Sequence, residues 1–257
     1  MDYVRGHIQT NVHIAAFILA GMSVLWGADQ DIVDRYETGM NAYYESQWPL
    51  AIQEFEAIIQ RGFEASELYY NLGNAYYRSG QYAGAIWAYE KSLQMTPNNE
   101  DVRHNLALAN MYISDQVRNP EVPQVLGFYR QLRESFTTVE WFRWVSLALI
   151  LFALTSTLQR FTKWQFLGWL GTPALLIALI TGSIAADSYN IDRTIKGGII
   201  FTPRSTVFSA PYPQSTMLFE VHEGLKVSIV EYGNEWYHIE LADGKSGWIP
   251  GQDLRPL

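Results

Sequence analysis

The sequence of 257 residues contains no cysteine. Without a thiol, the chain has no disulfide, no cysteine nucleophile, no thiolate metal site and no lipid-modified cysteine anchor. Histidine is scarce as well, with five residues in all. His222 and His238 have neither a second imidazole nor a carboxylate at metal-ligand spacing, so no metal site and no bound cofactor are predicted.

Catalytic motifs and a net positive charge are also missing. No glycine-rich phosphate loop, HExxH or GxSxG motif occurs. Several carboxylates are expected on exposed helix faces, where a charged side chain is normally solvated. They are those of Glu54, Glu56, Glu64 and Glu67. The formal net charge of −8 disfavours nucleic acid as a partner, and no basic run is present to bind anionic lipid. The sequence therefore predicts no enzyme, because nothing supplies a nucleophile, a base and an oxyanion site together.

Charged residues are nearly absent from two segments in the middle of the chain. Residues 141–158 contain only Arg143, in the first turn, and residues 166–186 contain none. At about 1.5 Å per helical residue the second segment is about 31 Å long, which matches a bilayer's hydrocarbon core. The short link predicts a transmembrane hairpin, which returns the chain to the side from which it came. A helical pair buried in a soluble core is the alternative.

The N-terminal segment indicates an orientation for this hairpin. Residues 12–26 are apolar apart from His13 and follow a weakly basic start, so residues 1–28 resemble a signal peptide or an uncleaved signal anchor. Either form would carry the following residues out of the cytoplasm. The loop residues Arg160 and Lys163 agree with a cytoplasmic position for the hairpin loop. A third core helix is the alternative for the N-terminal segment.

Residues 34–110 repeat with a period of 34 positions. The recurring pairs are Gly39 and Gly73, Ala51 and Ala85, and Phe55 and Tyr89. Residues 66–99 fill the leucine, glycine, aromatic, alanine and proline positions of a tetratricopeptide repeat (TPR), and residues 32–65 fill most of them. The chain therefore resembles this family over residues 32–113. Asn105 and its neighbours are predicted to belong to a capping helix.

In TPR proteins the first helix of each repeat lines a concave face that binds extended peptides. Tyrosine rings on such a face give contact area at low entropic cost, and an asparagine can bond a peptide amide in both directions. The candidate partner-binding residues are Tyr36, Met40, Tyr43, Tyr70, Asn74, Tyr77, Arg78 and His104. A spacer in which the tyrosines only pack against one another is the alternative.

Residues 114–140 are predicted to connect the repeats to the membrane. Asn119, Pro120 and Pro123 interrupt the helical pattern. Residues 124–136 then place apolar side chains at helical spacing. The amphipathic helix that this pattern predicts would lie on the bilayer surface or, alternatively, pack on the repeat stack.

Short alternating strands follow the second apolar segment. The predicted strands are 206–208, 226–231, 236–240 and 246–249. Gly233-Asn234 marks a hairpin turn, and the Glu223-Gly224 pair precedes a strand. With the Gly-Trp-Ile sequence at 247–249, these features resemble a bacterial SH3 domain over residues 199–257.

Two tryptophans of this domain are the tentative partner-binding residues. Trp236 and Trp248 would line a ligand groove, as aromatic side chains do in polyproline-binding relatives. In the alternative, both side chains fill the core and rim of a small barrel.

The order of these parts is more specific than any single part. A signal segment, TPR repeats, a two-span hairpin and an SH3 barrel follow one another in the BatE proteins of bacterial aerotolerance operons, which the chain resembles over nearly its whole length. The expected fold class is a multidomain membrane protein with an all-α TPR solenoid, a two-helix transmembrane hairpin and an all-β SH3-like barrel. The resemblance implies a bacterial inner-membrane protein whose TPR and SH3 domains face the periplasm.

Two functions follow from these expectations. In the first, the chain is a protein–protein interaction scaffold of a Bat-type complex in aerotolerance or envelope stress. The resemblance then implies von Willebrand factor A domain Bat proteins and a MoxR-type AAA+ ATPase system as partners. In the second, the SH3 domain binds peptidoglycan peptides and the protein senses the cell wall.

Overall fold

Two antiparallel helix pairs open the described part of the chain. The computed structural model describes residues 30–115, 123–162, 166–194 and 196–257, so the predicted signal segment lies outside the described residues. The first pair is α1 (Gln30–Tyr44) and α2 (Trp48–Gln60), and the second is α3 (Ser66–Arg78) and α4 (Tyr82–Met95). Because α4 begins 34 positions after α2, the helices follow the sequence period.

Small residues let the two helices of each pair approach closely. A Cβ atom on Gly73 would lie 2.5 Å from Cε1 of Tyr89, and one on Gly39 would lie 2.7 Å from Cε1 of Phe55. Both aromatic rings are buried. The repeated glycine and aromatic positions therefore encode one helix contact that is made twice.

A further helix, α5 (Glu100–Asn110), covers the end of the second pair. The side-chain oxygen of Asn99 caps this helix by accepting a hydrogen bond from the Val102 amide at 3.2 Å. Val102 and Ala109 are buried in the same core as α4. Thus α5 lies where the first helix of a third repeat is expected.

Two long apolar helices, α7 (Thr138–Thr162) and α8 (Phe166–Thr194), pack side by side. Both are long and apolar enough to cross a membrane. A Cβ atom on Gly171 would lie 3.1 Å from Oγ1 of Thr155, so small side chains bring the two helices together. Only 17% and 28% of the two apolar windows are buried within the protein, which disfavours a pair enclosed in a soluble core.

The connecting helix α6 (Gln124–Glu134) is attached to the hairpin. The hydroxyl of Tyr129 donates a hydrogen bond to Oδ2 of Asp187 in α8, at 2.8 Å. Val125 and Phe128 remain exposed. The helix therefore contacts the hairpin through Tyr129, which also packs on its apolar cluster, and leaves other apolar side chains uncovered.

The C-terminal part of the chain is a seven-stranded antiparallel sheet in the order β3-β2-β6-β5-β4-β1-β7. The strands are β1 (Lys196–Ile200), β2 (Arg204–Phe208), β3 (Met217–His222), β4 (Lys226–Gly233), β5 (Trp236–Glu240), β6 (Ser246–Pro250) and β7 (Leu254–Pro256). The sequence pattern predicts neither β1 nor β3. Strand β3 lies at one edge of the sheet with three of its six residues exposed, so it lacks the apolar alternation that marks a half-buried strand.

The sheet packs directly on the helical repeats. Ile199 of β1 is buried in the core of the repeats. The indole N–H of Trp87 in α4 donates a hydrogen bond to the carbonyl oxygen of Pro256 at 2.8 Å. At the end of the repeats, Oδ2 of Asp115 accepts a hydrogen bond from the backbone amide of His222 at 2.6 Å. The repeats and the barrel therefore form one packed unit.

Two acidic residues at equivalent positions of the repeats hold the barrel. Glu56 and Glu90, 34 positions apart, form ion pairs with Arg255 and Lys226, each at 2.7 Å. The expectation of a solvated Glu56 is wrong, because its side chain is only 24% exposed and faces the barrel. Both repeats thus contribute to one docking surface for the barrel.

Candidate partner-binding surfaces

The same hydrogen bond links successive first helices along the repeats. Nδ2 of Asn71 donates to the hydroxyl of Tyr36 at 2.8 Å, and Nδ2 of Asn105 is 3.4 Å from the hydroxyl of Tyr70. Both pairs are separated by 35 positions, so they are equivalent contacts in the repeat. Burial raises the pKa of Tyr36 to about 12, and its hydroxyl stays protonated at neutral pH.

Asn74 belongs to this network, which limits what it offers to a ligand. Its Oδ1 accepts hydrogen bonds from the hydroxyl of Tyr89 at 2.8 Å and from Nδ2 of Asn105 at 2.9 Å. The side-chain oxygen of Asn74 is therefore already used inside the protein. Its amide nitrogen remains as the group that can donate to a bound peptide.

Two ring pairs at equivalent positions follow the polar network. Tyr43 and Trp48 meet edge to face with their ring centroids 5.1 Å apart, and Tyr77 and Tyr82 do so at 5.7 Å. Each residue of the second pair lies 34 positions after its counterpart. The repeat therefore places one aromatic pair at the end of each first helix.

A third ring extends the second pair. The ring of Tyr112 stacks on that of Tyr82, with centroids 4.3 Å apart and planes inclined by 7°. The ring centroids of Tyr112 and Tyr77 are 6.0 Å apart, and the nearby Tyr112 hydroxyl raises the pKa of Tyr77. Tyr112 remains 57% exposed. We name Tyr77, Tyr82 and Tyr112 the tyrosine cluster, because it is an aromatic part of this surface that a partner can reach.

The other predicted residues of the concave face differ in accessibility. Met40 and Tyr70 are half-buried against the repeat core, whereas Arg78 and His104 are exposed. The sequence pattern did not select Trp48, Tyr82 or Asn71. Their signal was present in the 34-residue period, because the aromatic residues at 48 and 82 and the asparagines at 71 and 105 recur with it.

The barrel carries a second aromatic surface. Phe208 and Trp248 are opposite one another on β2 and β6, and Trp248 is opposite His238 on β5. The rings of His238 and Trp248 stack with centroids 4.9 Å apart, and Phe208 meets Trp236 edge to face at 5.7 Å. These four residues therefore share one side of the sheet, which we name the aromatic face of the barrel.

The core of the barrel is on the opposite side of the same strands. Val207, Ile239 and Ile249 alternate with the aromatic residues and are fully buried. Trp236 and Trp248 are only half-buried. Their rings therefore lie on the outer surface of the barrel rather than in its core.

Comparison with protein families agrees with both structural units. The TPR repeat family matches residues 73–111, and the bacterial SH3 domain family matches residues 202–256. No curated protein is detectably similar to the chain. The first matched region extends from α3 into the residue after α5, and the second covers β2 to β7. The chain therefore combines two kinds of module that are typically non-catalytic and that bind proteins or the cell wall.

Proposed function

We propose that this chain is a membrane-anchored scaffold that binds an extended segment of a partner protein across the concave face of its repeats. The observation that carries this proposal is the tyrosine cluster, whose exposed Tyr112 stands beside the ring pair of the second repeat. Large rings with few rotatable bonds are favourable contact groups at interfaces. The repeated ring pair at Tyr43 and Trp48 extends the surface along the repeats.

The surface favours a peptide of low charge. Arg78 and His104 are exposed polar residues predicted for this surface, and several basic residues would be needed to capture a C-terminal carboxylate. An apolar or proline-containing segment instead uses the rings directly, because proline stacks on aromatic faces and loses little entropy on binding. The amide nitrogen of Asn74 then donates to the peptide backbone.

The resemblance to BatE proteins extends the proposal to partners and location. The hairpin would anchor the chain in a bacterial inner membrane, with the repeats and barrel facing the periplasm. The partners would be the von Willebrand factor A domain Bat proteins, acting with a MoxR-type AAA+ ATPase system. The order of the helical repeats, two long apolar helices and barrel supports this assignment.

Affinity purification from detergent-solubilised membranes tests the scaffold function. The double variant Tyr77→Ala with Tyr112→Ala should lose bound partner proteins, because it removes most of the tyrosine cluster. Tyr212→Ala is the matched control, since Tyr212 is 52% exposed on the barrel outside the repeats. Asn74 is left unchanged because its replacement would disrupt the network around Tyr89. Equal recovery of partners with both proteins would contradict the proposal.

The aromatic face of the barrel supports a second candidate function, binding of peptidoglycan peptides. The half-buried Trp236 and Trp248 present their rings outward on one side of the sheet. The full-length protein is the appropriate reagent, because the barrel packs on the repeats. Trp248→Ala should reduce sedimentation with purified wall fragments by about tenfold, as for a buried aromatic anchor, whereas Val230→Ala should not. Wall binding that is equal for both variants would remove this function.

A further inference from the structure

A cavity of about 890 Å³ lies where the repeats, the hairpin and the barrel meet. Its walls come from α4 and the segment after it, from α5 and α6, from the first turn of α7, from the last turns of α8 and from β1, β4 and β7. No single module encloses it. The cavity exists because the barrel docks on α4 beside the open end of the hairpin.

The charge of this cavity differs from that of the whole protein. In the part of the chain that the structure describes, the charged lining residues are Arg103, Arg133, Lys196, Lys226, Glu90 and Glu134. Four cations therefore face two carboxylates in a chain whose net charge is −8. The cations come from α5, α6, β1 and β4, so the sequence shows no basic run even though the fold gathers positive charge.

Two of these cations are held by neighbouring carboxylates. Lys226 is 2.7 Å from Glu90, and Arg133 is 2.8 Å from Glu134. Arg133 also lies 3.7 Å from Asp187 of α8. These ion pairs hold the side chains of Lys226 and Arg133 in place along the cavity and neutralise their charge.

The other two cations keep their charge available. Among the residues that the structure describes, neither Lys196 nor Arg103 forms an ion pair. The guanidinium of Arg103 donates instead to the carbonyl oxygen of Pro97 and to Oδ1 of Asn98, which orients it without neutralising it. Lys196 is exposed at the start of β1. Both groups line the cavity with charge that no carboxylate among the described residues neutralises.

The cavity lies at the level of the hairpin where headgroups are expected. Thr137 and Thr138 at the start of α7, and Ser188 near the end of α8, line it. The apolar part of α7 begins close by at Trp141, whose indole N–H donates to the carbonyl oxygen of Arg133 at 3.1 Å. Tryptophan and arginine are typical of the membrane interface, where lipid phosphates lie just outside the hydrocarbon core.

We propose that this cavity binds a phosphate group, with Lys196 and Arg103 as its direct partners. The group would come from the headgroup of an anionic phospholipid or from a soluble phosphate ester, which present the same oxyanion. The lipid source rests on the proposed membrane anchoring of the hairpin. The soluble source does not require membrane anchoring. In either case the ligand would touch all three parts of the protein.

Binding by the purified full-length protein in a neutral detergent tests the proposal. Native mass spectrometry measures retained phosphatidylglycerol and phosphatidylcholine, and calorimetry measures binding of inorganic phosphate and glycerol phosphate. The test variant is Lys196→Gln with Arg103→Gln, and Lys196→Gln alone preserves the contacts that Arg103 makes with the turn. The matched control is Lys245→Gln with Arg204→Gln, two barrel residues that are 64% and 65% exposed.

We expect phosphatidylglycerol to bind more tightly than zwitterionic phosphatidylcholine. The variant Lys196→Gln with Arg103→Gln should bind phosphatidylglycerol about tenfold or more weakly, because each basic residue near a lipid surface contributes about a factor of five in affinity. The loss should be smaller for Lys196→Gln alone. The control pair should leave binding unchanged. If the protein binds the soluble phosphates but not the lipid, and Lys196→Gln weakens that binding, the natural ligand is a soluble phosphate ester. Anion binding that is insensitive to Lys196 and Arg103, or equally weakened by the control pair, would overturn the site.

The outcome is separable from the anchoring of the protein. Retention of the chain in membranes after alkaline carbonate extraction reports on membrane anchoring, independently of the cavity. A protein that stays in the membrane but shows no binding dependent on Lys196 would overturn the cavity and leave anchoring intact. A protein that is extracted would contradict anchoring, while the calorimetric measurement would still decide whether the cavity binds phosphate.

Discussion

The guanidinium carbon of Arg255 lies 3.5 Å from the centroid of the Trp87 indole ring. The same guanidinium forms an ion pair with Glu56 at 2.7 Å, so one barrel residue contacts both repeats. Gln53 occupies the position equivalent to Trp87 in the first repeat and is exposed. The aromatic residue in the second repeat is therefore specific to docking the barrel.

Replacement of Arg255 should weaken the whole fold. Arg255→Met removes the cation–π contact and leaves Glu56 half-buried without its cation, so the free energy of unfolding should fall by about 1–3 kcal/mol. Urea unfolding of the full-length protein in detergent, followed by circular dichroism, measures this change. Arg204→Met is the control, because this arginine is 65% exposed and its ion pair with Glu220 should contribute less than about 1 kcal/mol.

A double-mutant cycle isolates the contact between Arg255 and Trp87. The variants Arg255→Met and Trp87→Leu should couple by about 0.5–2 kcal/mol, since each removes the same interaction. Effects that add within about 0.5 kcal/mol would show that the two side chains are only neighbours.

Addition of a methyl group at Gly73 should destabilise the second repeat. Its Cβ would lie 2.5 Å from the ring of Tyr89, which is buried and bonded to Asn74 and so cannot move aside. Gly73→Ala should lower the free energy of unfolding by about 1–3 kcal/mol, although alanine is the better helix former. Gly182→Ala is the control, because the nearest atom to its Cβ would be 4.0 Å away. A stable Gly73→Ala protein would contradict the close helix crossing.

A glycine at position 46 should stabilise the first repeat. Ser46 has φ of 62°, in the left-handed region, and its equivalent 34 positions later is Gly80 with φ of 78°. Ser46→Gly relieves this strain and should raise the free energy of unfolding by up to about 1 kcal/mol. The reciprocal Gly80→Ser should lower it by a similar amount. Thermal unfolding of both variants measures these effects. The unfolding temperature should rise for Ser46→Gly and fall for Gly80→Ser.

The buried tyrosines should make the repeats sensitive to alkali. Burial raises the pKa of Tyr36 to about 12 and raises the pKa values of Tyr69, Tyr76 and Tyr89 as well. A raised pKa in the folded state means that stability is complete below the unfolded pKa of about 10 and is lost as pH rises above it. Ultraviolet absorbance of tyrosinate should therefore rise in two stages, the second together with loss of helical circular dichroism.

Tyr36→Phe provides the control for the alkaline transition. The variant loses the hydrogen bond from Asn71 and should be less stable than the native protein at neutral pH. It has no hydroxyl to ionise, so this deficit should shrink between pH about 10 and about 12. A deficit that stays constant with pH would mean that Tyr36 ionises normally in the folded protein.

The repeats were predictable because their contacts are local and periodic. Gly73 and Tyr89 are a small residue and a ring on consecutive helices, and their recurrence from Gly39 and Phe55 fixes both helix pairs. The two long apolar helices were predictable from the scarcity of charge. These features depend on composition and spacing along one stretch of chain.

The docking of the barrel was not predictable in the same way. Glu56 and Arg255 are separated by 199 positions, and nothing in a single sequence pairs an acid in one module with a base in another. The prediction that Glu56 is solvated assumed that a charged side chain on a helix faces water, and it was wrong. An aromatic residue at position 87, where the first repeat has Gln53, was the available signal.

The attachment of β1 to the repeat core brings the C-terminal barrel back into contact with the N-terminal repeats. The chain leaves the repeats at α5, passes through α6 and the hairpin, and returns with Ile199 buried among the repeat helices. Two independent routes therefore connect the barrel to the repeats, one covalent through the hairpin and one through the docked surface. A load applied to the barrel would be divided between them. A single break in the chain between Asp115 and Pro123 would leave both halves assembled.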